Sequence, residues 1–343
     1  MSEPTANACA AHAMRTAAMA PAFPDLEGKH PCFSTTAEGH AKAARLHLPV
    51  SPGCNIACAF CRRDFNRVEQ RPGVAARLHL PVSPQCNIAC AFCRRDFNRV
   101  EQRPGVAARL LTPDEAVATT ERALRIVPNL AVVGIAGPGD PLATDHAIET
   151  LGRIHARWPD LTLCVSTNGL MLPERVDDLA EAGLTTLTVT VNSVEPEIQA
   201  QITPKIAWKR KRVNDIEAGR RLIDNQLAGI ARAAELGLTV KINTVLIPTV
   251  NDHHIGAVAE AVSKAGARMI NVIALIPQHQ LAHLPEPSFI ERGRARAAAA
   301  KHLKVFTHCQ RCRADAVGVP GLSDYTRDLY GDDVSAEPTF SHG

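Results

Sequence analysis

Short apolar runs alternate with amphipathic stretches along most of the chain. "LAVVGIAG" (Leu130–Gly137), "LTLCVS" (Leu161–Ser166), "TTLTVTVN" (Thr185–Asn192), "LTVKINTVLI" (Leu238–Ile247) and "RMINVIALI" (Arg268–Ile276) are short and rich in Val, Ile, Leu and Thr. Such runs read as buried strands. Between them, apolar residues recur at helical spacing over Thr112–Val127 and near Asp145–Arg157, Pro173–Ala182, Ile216–Leu236 and Asp252–Ala265. The first of these carries its own start signal. Thr112 is the N-cap, Pro113 takes the first helical position and Glu115 completes a capping box. "ARLHLPVS", ahead of a cysteine-rich loop, supplies one more strand. About six β–α units result. Right-handed parallel crossovers with helices outside predict an α/β fold, a partial TIM-type (β/α)6 barrel, with a doubly wound sheet as the alternative. In either architecture the loops after the C-terminal ends of the strands carry the chemistry.

One segment occurs twice. Ala43–Val74 matches Ala75–Val106 at every position but one, where Gly53 faces Gln85. Two copies do not make a solenoid, which needs at least three. Near-identity points to a recent duplication or an assembly artefact, so the copies have had little time to acquire separate tasks. The expected organisation is a loose tail over 1–28, then an N-terminal ligand segment with the first repeat copy over 29–74. The barrel follows over 75–285. A C-terminal stretch over 286–343 holds an Ala-rich helix (about Ser288–His302), a Cys-x2-Cys segment and an irregular acidic end.

Composition narrows the class. Of 343 residues, 45% are apolar but only 4% aromatic, so Ala, Leu and Val must fill the core. A net charge of +3 is too mild to make nucleic acid the main partner. One basic loop, "QITPKIAWKRKRVN" (Gln201–Asn214), reads as a solvated patch. No apolar run approaches the ~20 residues of a membrane span. The Ala-rich first residues lack a secretory apolar core. Eleven cysteines in such a chain, expected to be cytoplasmic, are better metal ligands than disulfides.

The thiols fall into a pattern. Each repeat copy holds Cys-x3-Cys-x2-Cys: Cys54, Cys58 and Cys61, then Cys86, Cys90 and Cys93. Structural zinc normally takes four ligands. Three thiolates suit a cubane 4Fe–4S cluster with one iron open to a substrate, with zinc as the alternative. "GIAGPGDP" follows the next strand. Its Gly137 and Gly139 let backbone approach a ligand closely, and Asp140 can accept from an ammonium group. "STNG" (Ser166–Gly169) offers the Ser166 hydroxyl and the Asn168 amide at the same rim, and Asn192 and Asn243 are further candidate cofactor contacts.

The cysteine trio after the first strand of a parallel barrel, with Phe60 or Phe92 before its third cysteine, resembles the radical S-adenosylmethionine (SAM) superfamily. Within it, "HPCFS", "CNIAC", "RPGV", "LLTPDEAV", "GIAGPGDPL", "LCVSTNGL", "VKINTVLIP" and "HCQRCRADAVG", in that order over roughly Lys29 to Leu322, resemble the family of nitrogenase iron–molybdenum cofactor biosynthesis proteins in its short form, without a NifX-like domain. The resemblance implies a (β/α)6 radical SAM barrel whose open iron chelates SAM. It implies an enzyme that fuses two 4Fe–4S precursor clusters into an eight-iron carbide-containing product. One SAM methylates a sulfide, and a second yields the 5′-deoxyadenosyl radical. One precursor would use Cys32 and Cys164, with a histidine such as His30, and the other Cys309 and Cys312. Glu101 would stand near the SAM cluster. The implied partners are an Fe–S cluster donor, an electron donor such as ferredoxin or flavodoxin, and the nitrogenase maturation scaffold. From the residues alone, Cys164 reads equally well as a core cysteine, and the Cys309–Cys312 pair as a zinc half-site. The chain departs from the family at two points: Val68 or Val100 stands where the family has a further cysteine, and the 32-residue segment is repeated.

Overall fold

The computed structural model describes residues 75–93, 107, 109–127, 129–306, 314–319 and 322–331. Thr112 caps the first helix as its position predicts. Its Oγ1 accepts from Glu115 N at 3.3 Å, while Glu115 Oε2 accepts from Thr112 N at 2.8 Å. A cap of this kind is worth about 1 kcal/mol. The helix it starts, α1 (Pro113–Ile126), buries Ala116, Thr119, Thr120 and Ala123.

Six parallel strands form the main sheet. They are β1 (Ala76–His79), β3 (Leu130–Ile135), β4 (Thr162–Thr167), β5 (Thr186–Thr190), β8 (Thr239–Leu246) and β9 (Met269–Ala274), hydrogen-bonded in that order. The crossovers are α1, α2 (His146–Arg157), α3 (Leu172–Glu181), α5 (Asp215–Glu235) and α6 (Ile255–Lys264). β10 (Lys304–Val305) extends one edge in parallel, after α7 (Phe289–Ala299). β11 (Val317–Gly318) closes on β1 antiparallel, just before α8 (Thr326–Tyr330). The sheet is an open partial barrel, as the β–α alternation predicts. Its strands fill the core with β-branched residues and leucine: Leu163, Leu187, Val189, Val240 and Ile242 have no exposed surface.

Several details depart from the pattern-based reading. The basic stretch Gln201–Asn214 is not a loop. It starts at the end of a short helix, α4 (Pro196–Ile202), and then folds as a hairpin of β6 (Lys205–Trp208) and β7 (Lys211–Asn214). Its apolar anchor, Ile206, pairs with Ile88 of β2 (Ile88–Ala89), giving a second sheet in the order β2-β6-β7. The helix expected from Asp252 starts at Ile255 because Asn251 holds a turn. Its Nδ2 donates to Asn192 O at 2.9 Å and to Val245 O at 2.8 Å.

Candidate functional site

The loop carrying Cys86, Cys90 and Cys93 leaves β1 and is stitched to its surroundings at several points. Asn87 O accepts from Ala207 N at 2.8 Å, tying the loop to β6. Ala91 N donates to Ile202 O at 2.8 Å, tying it to the end of α4. Asn87 Oδ1 accepts from Asn168 Nδ2 at 2.8 Å, tying it to the turn after β4. Cys86 is buried, and Cys90 and Cys93 are half-buried. Phe92 is buried with Ile202, Val245, Ile247 and Leu275, so the aromatic before the third cysteine anchors the loop to the barrel. Thr203 Oγ1 lies 3.9 Å from Cys90 Sγ. Among the described residues, no three His, Cys, Asp or Glu side chains are already gathered as a metal cage. The donor set nonetheless fits an Fe–S cluster: three soft thiols in eight residues on a backbone fixed at both ends.

"GPGDP" lies against this loop. Gly139 N donates to Ser83 O and Asp140 N donates to Gln85 O, both at 2.7 Å. A Cβ on Gly139 would sit 2.0 Å from Gln85 O. The glycine is therefore required by the backbone of the cysteine loop, where the sequence suggested close approach to a ligand. Asp140 also has partners inside the protein. Its carboxylate accepts from Leu142 N at 2.9 Å, from Thr167 Oγ1 at 2.9 Å and from Asn168 N at 2.6 Å. Asp140, expected as an ammonium acceptor, thereby also positions the "STNG" turn. Thr167 Oγ1 in turn accepts from Gly169 N at 3.1 Å, and Asn168 Oδ1 from Leu170 N at 2.8 Å. Gln226, buried on α5, donates from Nε2 to Asn168 O at 2.7 Å and to Thr190 O at 2.9 Å. Ser166 stands half-buried one residue before this clamp.

Asn192 and Asn243 join neighbouring strands. Asn192 Oδ1 accepts from Val245 N at 2.9 Å, and Asn243 Oδ1 accepts from Asn271 Nδ2 at 3.2 Å. His254 Nε2 accepts from Val194 N at 3.2 Å in the adjacent loop, and burial holds its pKa below the usual histidine value, which suits the neutral acceptor.

A second cluster of chemistry lies deeper. His79, Gly134 and Cys164 occupy one row across β1, β3 and β4. A Cβ on Gly134 would come within 2.8 Å of Cys164 Sγ and 3.2 Å of His79 Cδ2. The thiol and the imidazole therefore converge on the space left by the missing side chain. Sequence reasoning named Cys164 but passed over His79. The available signal was a lone histidine inside the apolar run "LHLPV", which recurs in both repeat copies. Tyr330 Oη donates to His79 O at 3.3 Å, so the C-terminal helix braces the same strand. His30, Cys32, Cys54, Cys58, Cys61, Glu101, Cys309 and Cys312 lie outside the described residues.

Comparison with known proteins fits this geometry. The sequence profile of the radical SAM superfamily matches residues 80–262. The chain is 42% identical over 299 residues to the FeMo cofactor biosynthesis protein NifB of Methanocaldococcus jannaschii, covering 87% of this chain and 88% of that protein. It is 39% identical over 312 residues to NifB of Klebsiella pneumoniae, covering 89% of this chain and 59% of that protein. The chain belongs to the NifB family of radical SAM enzymes. A radical SAM methyltransferase from Sphaerobacter thermophilus shares the fold, with a TM-score of 0.51 at 22% identity over 70% of this chain and 67% of that one. The chain spans nearly all of the methanogen NifB but less than two thirds of the Klebsiella protein. Membership of the radical SAM superfamily brings a 4Fe–4S cluster, SAM and a reductant. No described helix is long and apolar enough to cross a membrane.

The cysteine loop, the "GPGDP" turn and the "STNG" turn are hydrogen-bonded to one another, so a change in one is expected to reach the others. Asp140→Ala would remove buried acceptors from Thr167, Asn168 and Leu142. A hydrogen bond to a charged group contributes about 1.5–3 kcal/mol. The expected result is a roughly ten- to hundredfold loss of SAM affinity, with the absorbance of the reconstituted cluster retained. Equilibrium SAM binding checks it, and unchanged affinity would show that the clamp does not shape the pocket.

Proposed function

We propose that this chain fuses two 4Fe–4S clusters, with a SAM-derived carbide and a sulfide, into an eight-iron precursor of the nitrogenase cofactor. The observation carrying this reading is the 42% identity to a protein of that pathway along 88% of its length. In this reading Cys86, Cys90 and Cys93 hold the SAM cluster, and Ser166, Asn168, Asn192 and Asn243 line the SAM pocket beside the Gly137–Asp140 turn. When bound, that cluster supplies the electron that splits SAM to a 5′-deoxyadenosyl radical. Glu101 acts beside it. His79 joins Cys32 and Cys164 in gripping one precursor cluster, taking the part first considered for His30. Imidazole and thiolate are both established iron ligands, and with glycine at 134 no side chain of β3 stands between them. Cys309 and Cys312 grip the other precursor. Ala107 packs against Ala314, two residues after Cys312 in the sequence. An Fe–S donor supplies the clusters, and a maturation scaffold receives the product.

One observation favours a narrower second reading. Val68 and Val100 stand where the family has a further thiol, and valine offers no lone pair to iron. A single-cluster radical SAM enzyme acting on a peptide or small organic substrate needs only the trio. Iron quantitation after anaerobic reconstitution separates the two: about twelve irons for three clusters, about four for one. A SAM-cleavage assay on the same preparation should yield 5′-deoxyadenosine. Its absence would exclude both readings and leave an Fe–S or zinc carrier.

A further inference from the structure

The hairpin β6–β7 is unusual in both charge and shape. Lys205, Lys209, Arg210, Lys211 and Arg212 place five cations in eight residues with no acid among them, and all five are exposed. The two-residue turn between the paired Trp208 and Lys211 is made by Lys209 and Arg210, at φ 46° and 63°. A turn with both central residues at positive φ favours Asn-Gly. Here two cations occupy those positions, so the tip keeps its charge against the backbone's own preference. Lys209 Nζ lies 5.0 Å from the Trp208 ring centroid and 3.3 Å from Glu174 Oε1. Glu217, at the start of α5, faces Arg220 and Arg221.

The hairpin is also wired to the cysteine loop. Ile88 and Ala89, between Cys86 and Cys90, pair with Ile206 and Lys205 of β6. The turn is three residues beyond Ile206, about 10 Å along an extended strand. Ile206 packs with Cys86, Ile88, Leu170 and Leu222. This run of five cations therefore sits on the hairpin whose first strand pairs with the proposed SAM-cluster loop.

We propose that this hairpin is the docking surface for an acidic one-electron carrier protein, held by charge at the tip beside the cluster it reduces. The proposal rests on the radical SAM reading, which requires a reductant. In the step it serves, the carrier loses one electron and the 4Fe–4S cluster passes from the 2+ to the 1+ state. No proton or group is transferred. Charge complementarity selects the partner class, because opposite fields steer encounter and raise association rates by ten- to a thousandfold.

The test uses the reconstituted full chain, an acidic ferredoxin as carrier and dithionite as a small reductant. Two variants keep it independent of folding. Lys209→Glu with Arg210→Glu reverses the tip. Lys209→Asn with Arg210→Gly removes both charges while supplying the residues the turn prefers. Both should weaken ferredoxin binding at 50 mM salt by about tenfold or more and flatten its salt dependence. Both should slow cluster reduction by ferredoxin and leave reduction by dithionite unchanged. Unchanged ferredoxin affinity in both variants overturns the proposal, also if the variants instead lose retention of a duplex DNA oligonucleotide. A wild-type protein that binds ferredoxin but shows no cluster reducible by dithionite would refute the radical SAM role of the trio rather than the docking surface.

Discussion

Replacing Cys86, Cys90 and Cys93 together with alanine is expected to abolish reductive SAM cleavage, while the same change at Cys54, Cys58 and Cys61 leaves it in place. The two trios are identical in spacing, so local sequence cannot choose between them. The surroundings do. The second loop leaves β1, and its backbone bonds to the "GPGDP" turn, α4 and β6. Asn87 within it holds Asn168 of the "STNG" turn. The superfamily match likewise begins at residue 80, so it includes the second trio and not the first. Taking the first trio would insert 32 residues, with a spare strand, between the cluster loop and α1. A methyl group provides no lone pair for iron, so the loss should be complete rather than graded. Production of 5′-deoxyadenosine under reducing conditions, with iron content measured on each variant, is the readout. Cleavage lost with the first trio and kept without the second would reverse the assignment.

Much of this arrangement was legible in the sequence because it is written in short-range patterns. Strand β8 announces itself as a β-branched apolar run, and α1 by Thr112, Pro113 and Glu115. The cysteine spacing declares soft-metal chemistry without any fold. What stayed hidden depends on distant segments meeting. "KIAWKRKRVN" is too polar to read as strand, and its hairpin packs on the barrel through the pairing of Ile206 with Ile88. The backbone partners of Gly139 and Asp140 were hidden for the same reason. A glycine and a carboxylate in a turn are equally suited to a ligand or to neighbouring backbone, and the neighbours, Gln85 and Asn168, come from other loops. His79 escaped notice because its partner lies 85 positions away and the residue between them in space, Gly134, contributes by having no side chain.

That gap leads to the second large effect. His79→Ala and Cys164→Ala are each expected to stop formation of the eight-iron product while SAM cleavage continues. Both side chains lie below the rim that holds the trio loop, on the row His79–Gly134–Cys164. Removing one ligand from a precursor cluster held by few protein groups should empty that site, lowering iron by about four per chain. Gly134→Ala tests the space between them. Its methyl would meet Cys164 Sγ at 2.8 Å, a contact that real Cβ atoms essentially never show, so thiol or imidazole must move. This variant keeps every ligand and yet should lower precursor yield. Iron quantitation, the spectrum of the isolated product and 5′-deoxyadenosine release, measured on the same preparations, separate the outcomes. If iron content and precursor yield persist in His79→Ala, the imidazole is a core side chain. If SAM cleavage falls in parallel with precursor in all three variants, the row supports the barrel rather than a second cluster.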